Sequence, residues 1–317
     1  MKFAVIQERK SPPDRRVVLD PKSCQILLSN FPSAELLIES SPIRAFSDAD
    51  YNAAGLKVVA DVSAAEVLIG VKEVPIEALI PNKSYFFFSH TIKKQPYNRK
   101  LLQAILNKNI TLYDHETLVN EANHRLIGFG YYAGVVGAYN GLRTLGLKLN
   151  SFELPKATDL NDRAALNAQL DQLTIPNVKI VLTGTGRVGQ GAKEILDYLN
   201  IKKVSVDQFI NNSFTEAVYV QLDVLDYCER QDGNTLEKKD FFKHPEAYQS
   251  TFERFTAVAD FFIAGHFYGK GAPAFFTREQ AKSPSFNLKV VADISCDING
   301  PVACTIRPST IDQPIYG

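Results

Sequence analysis

Several things are scarce in this sequence, and each shortage excludes a class of protein. Net charge is missing, since 35 lysines and arginines stand against 35 aspartates and glutamates in 317 residues. A chain-wide basic or acidic surface for nucleic acid or an anionic membrane is therefore excluded, although local patches are not. Cysteine is rare: Cys24, Cys228, Cys296 and Cys304 are the only four. No two stand at CxxC spacing, so there is no disulfide framework, zinc knuckle or thioredoxin-type motif to read. Four reduced thiols in a cytoplasmic protein are expected. Glycine (18) and proline (16) are too few for a low-complexity or disordered chain. The opening MKFAVIQERK has only a short apolar run before Gln7 and charge, which is not a signal-peptide pattern.

A long uninterrupted apolar run is also missing. The nearest approach, residues 126–146 (LIGFGYYAGVVGAYNGLRTLG), contains Asn140, Arg143 and many glycines. A membrane span needs roughly 20 apolar residues with almost no charge, so this stretch reads as a buried helix. Gly130, Gly134, Gly137 and Gly141 recur at helical spacing. Each costs about 1 kcal/mol against alanine in a helix, so the repetition implies tight packing against another element.

What is present reads as α/β. At about 150 residues per domain the length suggests two domains. Lys2–Ile6, Leu36–Ile38, Lys57–Ala60, Val67–Val71, Tyr85–Ser89 and Ile110–Tyr113 read as strands, with helices from Asp20-Pro21 to Leu28 and over Asn98–Lys108. Strands alternating with helices predict a mostly parallel sheet. A polar stretch with a helix from Asp162 comes next. A second α/β unit then begins at Val178, with strands at Lys202–Val206, Ala259–Ala264 and Lys289–Ile294. Residues 211–250 are polar, aromatic and irregular, and an excursion from the sheet is expected there.

Residues 184–189, GTGRVG, place Gly184, Gly186 and Gly189 at the three positions of GxGxxG, with Arg187 and Val188 between them. A strand precedes and a helix follows, which is the context the motif needs. The first glycine permits the tight turn, the second lets backbone approach a pyrophosphate, and the third lets helix pack on strand. The helix N-terminus then offers N–H groups to phosphate. An acid for the ribose hydroxyls is expected about 20 residues on. Asp207 is the candidate, with Ser205 the alternative if the strand ends earlier. Asp207 favours NAD; Ser205, Lys202 and Lys203 leave NADP open.

In the first domain, polar residues follow strands at three places: Arg15 and Arg16, Lys72 and Glu73, and His90 and Lys93. Ligands in open α/β sheets bind beyond the carboxyl ends of strands. Taken singly, each residue has a plain structural reading; together they suggest one cleft. His115 and His124 lie close in sequence, but nothing completes a metal set, and no metal is expected.

The stretches ERKSPPDRRVVLDP, LIGVKEVP, FFFSHTIKKQ, TLYDHE, GFGYYAGVVGAYNGLR, LTGTGRVGQGA, HPEAYQSTF and VVADISCDINGP carry a family resemblance. The chain resembles the lysine-forming saccharopine dehydrogenases and lysine–2-oxoglutarate reductase domains, in the alanine dehydrogenase/transhydrogenase superfamily. The resemblance implies two Rossmann-like doubly wound domains with an interdomain cleft: a substrate domain over 1–125, a connecting helix and linker over 126–175, and a dinucleotide-binding domain over 176–317. It implies an NAD(P)-dependent oxidoreductase acting on a C–N bond, with Lys72 and His90 as acid/base groups. Arg16 would bind a substrate carboxylate, with Lys93 and Glu116 in the same site, and Asp293 would stand by the nicotinamide. An alanine dehydrogenase-like activity and a non-catalytic NAD(H) or amino-acid binding role are the alternatives. Partners are a small amino-acid and keto-acid pair, with no nucleic acid or membrane. Family members continue for several tens of residues past TIDQPIYG, whereas this chain ends at Gly317; the resemblance implies a fragment or a first domain completed differently.

Overall fold

The computed structural model describes residues 1–317. The chain divides into two compact units, Met1–Gly128 and Phe129–Gly317.

The first unit contains β1 (Lys2–Val5), α1 (Pro21–Asn30), β2 (Glu35–Glu39), α2 (Asp48–Ala53), β3 (Lys57–Val59), β4 (Val67–Ile69), β5 (Ser84–Phe87), α3 (Arg99–Asn107) and β6 (Thr111–Asp114). Its six strands form one sheet in the order β3-β2-β1-β4-β5-β6, and every pairing is parallel. Alternation divides each strand between two cores. Ala4 and Leu68 face one, with Tyr85, Phe87, Leu101 and Ile105; Val5 faces the other, with Cys24, Ile38 and Tyr51. Helix α1 starts where Asp20 accepts the Ser23 N–H at 2.6 Å and Pro21 takes the first helical position. In α3 only Leu101 and Ile105, one turn apart, are buried; the adjacent Leu102 and Leu106 face solvent. Strand order reverses at β1, so the β1/β4 junction is the switch point beyond which such sheets bind ligands.

The second unit contains α4 (Gly130–Leu149), α5 (Arg163–Leu170), β7 (Lys179–Thr183), α6 (Arg187–Tyr198), β8 (Lys202–Lys203), α7 (Val206–Asn211), β9 (Val218–Leu222), α8 (Val224–Tyr227), β10 (Cys228–Arg230), α9 (Lys238–Lys243), β11 (Tyr248–Ser250), α10 (Glu253–Thr256), β12 (Phe261–Ala264) and β13 (Val290–Asp293). Its main sheet runs β13-β12-β7-β9-β8, all parallel. Ile180 and Leu182 of β7 join the core under α4 and α6; Val181 joins a phenylalanine-rich core on the other face.

The glycine-faced helix is α4, and no helix is long and apolar enough to cross a membrane. A Cβ at Gly134 would lie 2.0 Å from the Val188 carbonyl oxygen, and one at Gly191 of α6 would lie 1.9 Å from that of Tyr131. Backbone meets backbone at this crossing. The helix expected as a connector thus lies within the second unit. It is not buried all round, since Tyr132, Val136 and Leu147 are exposed.

Two sequence expectations need correction. The strand expected over Lys202–Val206 stops at Lys203. Ser205 ends it by capping α7, in a capping box with Gln208. The excursion expected over 211–250 contains a central strand: β9 pairs with β7 along its length and pushes β8 to the sheet edge. Only after Asp223 does the chain leave the sheet, into α8, α9 and the separate antiparallel β10–β11 pair.

Candidate functional site

In the first unit, Arg16, Lys72, His90 and Glu116 all follow the carboxyl ends of parallel strands: β1, β4, β5 and β6 respectively. The loop after β4 is fixed from beneath by Glu8, whose carboxylate accepts the N–H groups of Val71 at 2.6 Å and Lys72 at 2.9 Å. Burial pushes the Glu8 carboxyl above its ordinary range, against the pull of those two N–H groups. The Lys72 ammonium stands 5.5 Å from the Phe88 ring centre. Burial first, then the charges of Arg16 and Lys10, hold Lys72 below the usual lysine range. Arg16 in turn grips Asp14 through two guanidinium nitrogens, Nε lying 2.9 Å from Oδ1.

His90 has a left-handed backbone, φ 57°, which turns the chain back over the end of β5. Its ring stacks near that of Phe88, with centroids 6.1 Å apart at 22°. Two carboxylates flank it: Glu116 Oε2 lies 3.1 Å from Nδ1, and Glu73 Oε1 lies 3.8 Å from Nε2. Glu116 also meets Lys93 at 3.4 Å and Arg125 at 2.5 Å. Burial raises the Glu116 carboxyl, but His90, Lys93 and Arg125 outweigh it and leave a net lowering. Glu73 is shared with Lys10 at 3.2 Å. Glu73 and Glu116 thus link Lys10, His90, Lys93 and Arg125 into one network, and the Lys72 ammonium and the His90 ring both lie near Phe88.

Of the neighbours expected around Lys72, Arg16 acts on its charge and Lys10 joins it, while Lys93 turns to Glu116. Arg15 donates Nε to the Ile43 carbonyl at 3.2 Å instead. His115 is buried, with Nε2 3.1 Å from the Gly70 carbonyl oxygen, and holds the β4–β5 region in place. Among the described residues no cluster of metal-ligating side chains forms. Glu8, Lys10, Asp14 and Arg125 belong to the network and were not singled out from sequence. Glu8 and Arg125 meet their partners only through the fold; Glu73 was visible beside Lys72, but not its closeness to His90.

The glycine turn of the second unit behaves as its spacing predicts. Gly184 has φ 95°, and a Cβ there would lie 2.5 Å from the Gly265 carbonyl oxygen. A Cβ at Gly189 would lie 2.0 Å from the Gly184 carbonyl oxygen, whereas at Gly186 it would meet nothing within 4 Å. The turn is therefore packed on its inner side and open at its middle glycine. Helix α6 starts at Arg187 without a side-chain cap, so its first N–H groups point to the same opening. These residues fit a dinucleotide pyrophosphate. Asp293 ends β13, but its carboxylate is occupied: one oxygen accepts Ser295 Oγ and the Cys296 N–H, the other accepts Thr305 Oγ1. Asp207 lies in the first turn of α7 and accepts from Asn211 at 2.8 Å.

Two further residues stand beside this turn. Asp223 follows β9, the strand flanking β7, and accepts Thr185 Oγ1 at 3.1 Å. His266 follows β12 and is buried, with Nδ1 3.1 Å from Thr183 Oγ1; burial pushes it down to about 4. Asp223 stands beyond the 20-residue spacing because β9 rather than β8 is the strand beside β7.

Residues 4–136 match the family described as alanine dehydrogenase/PNT, N-terminal domain. The chain is 32% identical to the mitochondrial alpha-aminoadipic semialdehyde synthase of Bos taurus, over 88% of this chain and 35% of that protein. It is 25% identical to the saccharopine dehydrogenase [NAD(+), L-lysine-forming] of Yarrowia lipolytica, over 98% of this chain and 79% of that one. An L-alanine dehydrogenase structure superposes with a TM-score of 0.63 at 19% identity, covering 100% of this chain and 80% of that chain. The chain spans about a third of the semialdehyde synthases it matches. Residues 4–136 thus match an alanine dehydrogenase/PNT N-terminal domain, and the chain is similar in sequence to semialdehyde synthases and saccharopine dehydrogenases and in fold to an alanine dehydrogenase.

Proposed function

We propose that the chain is an NAD-dependent oxidoreductase, with NADP use left open, that forms or breaks the C–N bond of saccharopine. The observation that carries this reading is the half-buried Lys72 ammonium near the Phe88 ring, which also packs near a histidine held between two carboxylates. Its lowered pKa makes the neutral amine more accessible than in a solvated lysine. A neutral Lys72 Nζ accepts a proton from the substrate ammonium, freeing the amine to attack the keto-acid carbonyl. His90, with Glu116 at Nδ1, passes a proton to the carbonyl oxygen as water leaves. When bound, the reduced nicotinamide supplies the hydride and the protein orients it.

Arg16, whose fork is held by Asp14, and Lys93, paired with Glu116, add positive charge for the substrate carboxylates, each by exchanging its own carboxylate for the substrate's. Several cations suit a molecule with three carboxylates. In the second unit, Gly184, Gly186 and Gly189 admit the pyrophosphate, with Arg187 and Val188 in the first turn of α6. Asp293, through its bonds to Ser295, Cys296 and Thr305, would hold the loop after β13 beside a bound nicotinamide. Asp223 is a stronger candidate than Asp207 for the ribose hydroxyls, since it borders the glycine turn. The test is NADH and NADPH oxidation with lysine plus 2-oxoglutarate, against ammonia plus pyruvate. Turnover with the first pair alone supports the reading. Turnover with the second pair alone assigns an alanine dehydrogenase-like activity, and cofactor binding without turnover on either assigns a non-catalytic role.

A further inference from the structure

We propose that the Asp223–Lys238 ion pair sets the choice between the two nicotinamide dinucleotides. The proposal rests on the reading of residues 184–189 as a dinucleotide site. In such folds the ribose-binding acid ends the strand beside the glycine strand. Here that strand is β9, paired with β7 from Lys179↔Val218 to Thr183↔Leu222, and the residue after it is Asp223. Thr185, inside the glycine turn, donates its hydroxyl to Asp223 Oδ2. Position and contact therefore mark the same side chain.

Asp223 Oδ2 also receives the Lys238 ammonium. Lys238 opens α9, in the part of the chain that leaves the sheet after Asp223. Its side chain is 46% exposed, while that of Asp223 is 23% exposed. The carboxylate is thus the more enclosed partner, tied to the turn, and the lysine the more exposed one.

The electrostatics agree. A carboxylate alone at this place accepts hydrogen bonds from the 2′- and 3′-hydroxyls of NAD and repels a 2′-phosphate carrying about two negative charges. With Lys238 on the same oxygen, the pair is neutral overall. The exposed ammonium can then turn onto a phosphate while Asp223 stays on Thr185. The pair therefore tolerates both cofactors, and either residue alone favours one.

The experiment is fluorescence titration of NADH and NADPH, without substrate, on the full chain. Wild type is expected to bind both, with affinities within about tenfold of each other. Lys238→Met should weaken NADPH by about tenfold or more and change NADH by less than about threefold, while Lys238→Arg should restore NADPH. Asp223→Ser should reverse the preference, toward NADPH. If both cofactors bind and the NADH:NADPH ratio stays fixed in Lys238→Met and Asp223→Ser, the pair does not select and the proposal is overturned. It is overturned equally if the ratio responds to Asp207→Asn and not to Asp223→Ser. If neither cofactor binds wild type, the dinucleotide reading itself fails, and the proposal with it.

Discussion

Lys72 and His90 stand in contrasting surroundings. Lys72 is desolvated and beside cations; His90 is held between carboxylates. Lys72→Met and His90→Gln should each lower kcat by about a hundredfold or more, the usual scale for loss of a proton-transfer group, while NADH affinity measured by fluorescence stays within about twofold. Near-wild-type turnover in both variants would remove them from the mechanism. Glu8 offers a test through stability. Burial raises its folded pKa above the ordinary 4.5, so the folded state holds that proton more tightly than the unfolded chain. The resulting stabilisation is complete below about 4.5 and is lost as pH rises through the folded pKa. Denaturant titrations of wild type and Glu8→Gln should therefore show wild type losing stability relative to the variant across that window. A pH-independent difference would place Glu8 outside this account. Lys72, His90, Arg16 and Glu116 were legible because each stands just after an apolar run or within a recognisable motif. Glu8 was not, since its partners lie 63 and 64 residues away in sequence.

At the scale of elements, the glycine spacings were the most readable signal. Their repetition in α4 foretold a close backbone approach, and α6 provides it with Gly191. Gly191→Ala forces a Cβ against the Tyr131 carbonyl and should cost about 1–3 kcal/mol in urea unfolding. Gly186→Ala meets no protein atom; it should leave stability within about 1 kcal/mol while weakening NADH binding. A Gly186→Ala variant that binds NADH like wild type would mean that the open side of the turn does not face the cofactor. Strand β9 was the least readable element. Its VYVQL run is short and set in polar sequence, and nothing local signals that it enters the sheet between β7 and β8. That insertion is why Asp223 replaces Asp207 as the favoured ribose acid, a shift that comes from topology rather than from chemistry.

On the scale of the whole chain, alternating strands and helices predicted parallel sheets, and two are present, one in each unit. The chain divides after Gly128, with the long helix α4 in the second unit. Motif spacing alone was enough to suggest a cofactor turn and a cationic substrate site. Which carboxylates pair with which cations depended on contacts that only the folded sheets create. The proposed reaction joins an amine to a keto acid at the expense of reduced nicotinamide. The most direct measurement incubates the chain with lysine, 2-oxoglutarate and NADH, and follows NADH absorbance and saccharopine by mass spectrometry together. One saccharopine should form per NADH oxidised, and none in Lys72→Met. NADH that binds but is not consumed, or is consumed without saccharopine, would contradict the proposal.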